Sequence, residues 1–148
     1  MYRPFVIGFF LLSTALLVLL IVVQSQRLHG FLQEVPALRS AEQMRRYKRL
    51  VAHDMYLGVL AKLLLGLGGL AFPIVVIPCI GLVVNQFLGI HLFDLLLIVG
   101  LNLLVYAAAA TPRGIWEQMM SIPVEDEGLR PERDHVVKVW QTRPFPDW

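Results

Sequence analysis

Apolar positions fall into three long blocks separated by charge-rich stretches, and the blocks are too long and too continuous for the strands or half-buried helices of a water-soluble core. The first block, Phe5–Val23, has nineteen residues without a charge, and only Ser13 and Thr14 are polar. As a helix it rises about 28 Å, close to the roughly 30 Å hydrocarbon thickness of a bilayer. Arg3 just ahead of it is compatible with a secretory leader. The apolar run exceeds the roughly 7–15 residues of such a leader, and no Ala-x-Ala site follows, so a retained span is predicted.

The second block, Met55–Val84, is interrupted only by Lys62 and would make about 45 Å of helix, too much for one upright span. A lysine near a helix end can snorkel to the interface, whereas one at mid-bilayer is costly. The span is therefore predicted at 63–84, and residues 41–62 become a helical lead-in on the aqueous side. Met44, Tyr47, Val51, Met55 and Val59 fall on one stripe at helical spacing, with Arg45, Lys48, Arg49 and His53 largely away from it. Ser40 and Gln43 form a capping-box start. Pro73 and Pro78 each remove a backbone donor, which predicts one kinked helix. A turn at Gly68–Pro73, giving four spans, would leave irregular backbone in lipid. The third span is expected at 94–110, with Asp94 as candidate N-cap and Pro112 beyond its end.

The fold class expected is an all-α integral membrane protein with three transmembrane helices, the second long, Pro-kinked and carrying a cytoplasmic amphipathic extension, plus a mostly irregular C-terminal tail. A transmembrane domain would cover 1–110, with spans 5–23, 63–84 and 94–110 and a basic hairpin 24–62. A cytoplasmic interfacial segment and docking tail would cover 111–148. Within the tail, Ile115, Trp116, Met119, Met120 and Ile122 suggest a segment lying in the interface, and His135–Thr142 reads as β-prone.

Composition sharpens this reading. The chain is 57% hydrophobic and 16% charged, against about a quarter charged in soluble domains, which excludes a soluble globule. The net charge of +2 is too small for a nucleic-acid binder. Cys79 is the lone cysteine, so no internal disulfide or cysteine-ligated metal cluster is expected. Of thirteen Lys and Arg, six lie in 24–54 and five after Ala110. The positive-inside rule then predicts an inner-membrane protein with its N-terminus outside and its C-terminus cytoplasmic.

Candidate chemistry is sparse. Gly66–Ala71 matches a dinucleotide fingerprint only formally, because it sits inside an apolar run with no strand ahead of it. Gly66 and Gly69 read better as small residues admitting a neighbouring helix. Ser13, Thr14, Pro73 and Asn102 fall near one depth, where Asn102 is expected to tie helices together by hydrogen bonding. His29 and His53 flank the first two spans and are the only candidate haem ligands. Arg45, Arg46, Lys48 and Arg49 form a juxtamembrane cluster suited to anionic lipids or an acidic partner. Trp116, Trp140, Phe145 and Trp148 are expected to dock on lipid or on a partner.

No nucleophile–base pair, carboxylate dyad or phosphate loop is present in the pattern, so the chain is read as a non-enzyme with no soluble small-molecule substrate identified. The expected function is a non-catalytic accessory subunit of a larger inner-membrane complex, stabilising or positioning other membrane subunits. No cofactor is predicted in that reading. One alternative is a haem- or quinone-associated anchor subunit of a respiratory or photosynthetic complex. Another is a small homo-oligomeric transporter or channel lined by Asn102, Ser13 and Thr14.

Overall fold

The apolar blocks do form helices, and among the described residues helix accounts for 83% and there is no strand. The structure, a computed structural model, describes residues 3–148 and all their side chains except those of Pro78 and Leu88. In order come α1 (Arg3–Glu34), α2 (Ala41–Gly69), α3 (Ala71–Val76), α4 (Pro78–Leu88), α5 (Leu92–Ala110), α6 (Arg113–Met120) and α7 (Arg130–Thr142), with a 3-10 turn at Glu127–Leu129. Three helical stretches, Arg3–Glu34, Ala41–Val76 and Leu92–Met120, are long and apolar enough to span a membrane.

Two differences from the expected elements have clear causes. The single kinked helix over 63–84 does not form: α2 passes into α3 through Leu70, itself in helical conformation, and the helix then breaks at Ile77. Pro78 disfavours helical backbone at the residue before it, and Ile77 is extended with φ −106° and ψ 98°. Pro78 then opens α4 in its first turn, where a missing N–H costs nothing. The bend is sharp enough to bring the carbonyl of Ile74 within 3.4 Å of where a Cβ on Gly81 would lie. Gly89 ends α4 at φ 64°, a left-handed cap suited to glycine.

The tail is the second correction. It is neither mostly irregular nor β-prone over 135–142, since α6, the 3-10 turn and α7 fill most of it. Valines at 136, 137 and 139 favour a strand by local propensity. Val136, Val139 and Trp140, however, meet the core at helical spacing. Pro131 and Glu132 also fit the first turn of a helix.

The chain divides into two compact units. One comprises Met1–Leu19 and Leu60–Ala109. Its buried positions include Phe10, Thr14 and Leu17 on α1, Ala61, Leu64 and Ala71 on α2 and α3, and Leu95, Ile98 and Val105 on α5. Large apolar side chains elsewhere on the same helices, including Phe5, Leu12, Leu63, Leu67 and Leu103, are exposed. A surface of that kind is compatible with a membrane location. At one end Arg3 grips the buried carboxylate of Asp94 with two nitrogens, at 2.8 and 3.1 Å. Asp94 is not the N-cap of α5 but sits in its first turn, and it accepts from the His91 backbone N–H at 3.0 Å, the return half of a capping box.

The other unit comprises Leu20–Val59 and Ala110–Trp148 and has a conventional hydrophobic core. Leu28, Phe31, Val35 and Leu38 come from α1 and the turn after it. The Met44, Tyr47, Val51, Met55 stripe of α2 is buried, and Met119, Ile122, Val136 and Val139 close the core from the tail. The turn into α2 is tied down locally: the Gln43 N–H donates to Ser40 Oγ, and Gln43 Oε1 accepts from the Arg39 N–H at 2.8 Å. Leu38 also exchanges backbone hydrogen bonds with Pro123 and Glu125, an isolated parallel bridge beside the Arg39–Glu125 ion pair at 2.8 Å.

Candidate functional site

Polar chemistry in the Leu20–Val59 and Ala110–Trp148 unit centres on Asp54, a carboxylate on the inner side of α2. Its Oδ1 accepts from the indole N–H of Trp116 and its Oδ2 from that of Trp140, both at 3.1 Å. One side chain thus joins α2, α6 and α7. Burial pushes the Asp54 carboxyl up from 3.8 to about 6, against the two indole hydrogen bonds, which favour the anion. Tyr47, fully buried and in ring contact with Phe31 at 6.3 Å, donates its hydroxyl to the Met119 carbonyl at 3.1 Å. Burial raises the phenol well above its ordinary range, with Arg133 opposing weakly, so Tyr47 stays a donor.

Tail residues expected to dock elsewhere find contacts within this unit. Trp116 and Trp140 hold Asp54, Phe145 lies 6.1 Å from the Tyr56 ring, and Trp148 lines a shallow groove of about 460 Å³ with Arg45 and Arg49. His135 and Arg143 both engage Asp147, and Lys48 pairs with Glu132 of α7. Arg46 pairs with Glu34 at 2.9 Å and stacks 5.8 Å over Phe31.

In a second groove, of about 550 Å³ and sharing Arg49 with the first, α1 contributes Arg27, Gly30, Phe31 and Glu34. From α2 come Glu42, Arg46, Arg49, Leu50 and His53. His53 is on this groove, but His29 is not among its lining residues. Each imidazole is held within its own helix, His29 against Gln33 at 3.0 Å and His53 against the Arg49 carbonyl at 2.7 Å. The structure therefore does not bring the two candidate haem ligands onto one shared site. Among the described residues no group of three or more His, Cys, Asp or Glu has a metal-holding arrangement.

In the unit of Met1–Leu19 and Leu60–Ala109, Asn102 donates to the Ile98 carbonyl of its own helix at 2.8 Å, not to Ser13, Thr14 or a carbonyl released by Pro73. Its Oδ1 and the Thr14 hydroxyl are buried without a hydrogen-bond partner among the described residues. Ser13 is half-buried and Pro73 is exposed, its carbonyl accepting from the Ile77 N–H. The glycine against Asn102 is Gly68, where a Cβ would lie 1.7 Å from Asn102 Nδ2. Gly66 and Gly69 have nothing within 4 Å of that position.

This contact carries a prediction. Gly68→Ala forces the Asn102 amide away and breaks its bond to Ile98, and overpacking of this kind costs about 1–3 kcal/mol. Thermal unfolding in detergent, followed by circular dichroism, should show a lower midpoint, restored when Asn102→Ala is added. An unshifted midpoint for Gly68→Ala alone would refute the contact.

Asp54, Gly68 and Arg27 were not singled out by sequence reasoning. Asp54 did carry a signal, because it lies three residues after Val51 on the apolar stripe, and a carboxylate on a buried face needs partners. Gly68 is distinguishable from Gly66 and Gly69 only once Asn102 is placed against it. Arg27 gains meaning only from the α2 side chains across the hairpin.

Comparison with protein families, characterised proteins and solved structures finds no match to this chain. What the fold defines is a class: an all-helical protein with three helices long and apolar enough to cross a membrane.

Proposed function

We propose that the chain is a non-catalytic accessory subunit of a larger inner-membrane complex, stabilising or positioning its partner subunits. The observation that carries this reading is the free face of α2. One face packs through Ala61, Leu64 and Gly68, while the opposite side carries Gly66 and Gly69 with open space above them, between exposed Leu63, Leu67 and Leu70. Small residues in such a setting let a second helix backbone approach closely, the usual basis of helix association in lipid. The ionisable groups of the chain support a structural role as well, since Asp54, Asp94, Lys48 and Glu125 are spent on joining one segment to another.

In this reading the basic segments 24–54 and 111–148 face the cytoplasm, as the positive-inside rule requires. Purification in mild detergent through a C-terminal tag tests the proposal. Stoichiometric membrane-protein partners that are lost on substituting Gly66→Leu and Gly69→Leu are the expected result. A lone protein that a chemical cross-linker leaves monomeric in intact membranes would overturn it. A reporter fused at the same terminus should be active only on the cytoplasmic side.

A further inference from the structure

We propose that the groove between α1 and α2 is a binding site for the phosphate group of an anionic phospholipid. The two helices run antiparallel in a register set by Glu34–Arg46, Phe31–Tyr47 and Gln24–Leu50 contacts. That register places Arg27 at the level of Arg49 and His53, and all three line the groove. Glu34 and Glu42 lie toward the other end, where Arg46 already neutralises Glu34. Arg27 and Arg49 have no ion pair among the described residues. Guanidinium forks of this kind match phosphate oxygens in geometry as well as charge.

His53 adds a directed group. Its Nδ1 donates to the Arg49 carbonyl, which can only accept, so Nε2 of the neutral ring is an acceptor, suited to a headgroup hydroxyl such as those of phosphatidylglycerol and not to the phosphate oxygens. Gly30 leaves the groove open, because nothing lies within 4 Å of where its Cβ would be. Leu50, level with Gln24 on the bilayer side of Arg27, gives the lining an apolar part suited to the glycerol and first acyl carbons. The volume of about 550 Å³ is in the range of about 300–1,000 Å³ usual for small-molecule sites.

Position along α1 selects a lipid over a soluble phosphate ester. The charge-free run ends at Val23, and Arg27 follows one helical turn later, about 6 Å further along the axis. That is headgroup depth when the run occupies a bilayer. The inference rests on the membrane placement within the proposed function and not on partner subunits, so it is tested on the purified chain alone. Failure here leaves the subunit reading standing, and the reverse is equally true.

Native mass spectrometry of the full-length protein released from detergent, titrated with phosphatidylglycerol or phosphatidylcholine, reads the site directly. One phosphatidylglycerol should be retained in preference to phosphatidylcholine. Arg27→Gln with Arg49→Gln should weaken retention about thirtyfold, the effect of two cations at headgroup depth. Arg113→Gln with Arg130→Gln removes the same charge elsewhere and should leave it unchanged. Gly30→Leu fills the groove without altering charge and should also abolish retention. Equal losses in the two double variants, undiminished binding in Gly30→Leu, or equal retention of both lipids would overturn the site. Displacement of the lipid by millimolar inorganic phosphate would overturn the lipid assignment in favour of soluble phosphate esters.

Discussion

Tyr47→Ala is expected to collapse the folded unit formed by Leu20–Val59 and Ala110–Trp148. Tyr47 is the largest fully buried side chain among the described residues and sits among Phe31, Met44, Val51 and Met119. Removing an aromatic ring from such a core costs about 3–5 kcal/mol, through lost burial and the cavity left behind. A domain of this size is stabilised by only about 5–15 kcal/mol in all. Tyr47→Phe keeps the ring and leaves the Met119 carbonyl unpaired, so its cost should be smaller, about 1–3 kcal/mol. The readout is selective because Trp116, Trp140 and Trp148 all belong to this unit and no other tryptophan is present. Denaturant unfolding followed by tryptophan fluorescence should therefore show a large loss of midpoint for Tyr47→Ala and a modest one for Tyr47→Phe. Equal midpoints for wild type and Tyr47→Ala would show that the hairpin and tail do not share a core.

Periodicity was a good guide where one physical effect dominated. The Met44–Tyr47–Val51–Met55 stripe was visible because a helix that buries one face must repeat its apolar residues every three to four positions. The apolar helices were visible for a similar reason, since nothing but sustained hydropathy makes a run like Phe5–Val23. Competing effects hid the rest. In α7 the strand propensity of Val136, Val137 and Val139 masked a helical stripe that becomes evident only when Met119 and Ile122 are present to receive it. At Ile77 two outcomes of the same proline chemistry, a kink or a full break, differ by backbone geometry that hydropathy does not encode. The Asp54 site joins residues separated by 62 and 86 positions, and no local window spans them.

Asp54 should make this same unit more stable as the pH falls through about 6, the reverse of an ordinary carboxylate in an ion pair. Its folded pKa of about 6 lies above the ordinary 3.8, so between these values the folded chain holds a proton that the unfolded chain has lost. Stability from this group is fully present below about 3.8 and is lost as the pH rises through about 6. The full span corresponds to about 3 kcal/mol, of which about 1.4 kcal/mol is gained between pH 7.5 and 5. Because the rest of the chain also responds to pH, the effect is isolated as the difference between wild type and Asp54→Asn. That variant keeps one acceptor for an indole and removes the titration. Fluorescence offers a second readout, because both indole N–H groups face the titrating oxygens. Wild-type emission should change with a midpoint near pH 6, and Asp54→Asn should be flat there. Burial and the two hydrogen bonds act in opposite directions on this carboxyl, and the experiment decides which is larger. A wild-type profile without a transition between pH 5 and 7 would mean that the indoles outweigh desolvation and that Asp54 is an ordinary anion held by two donors.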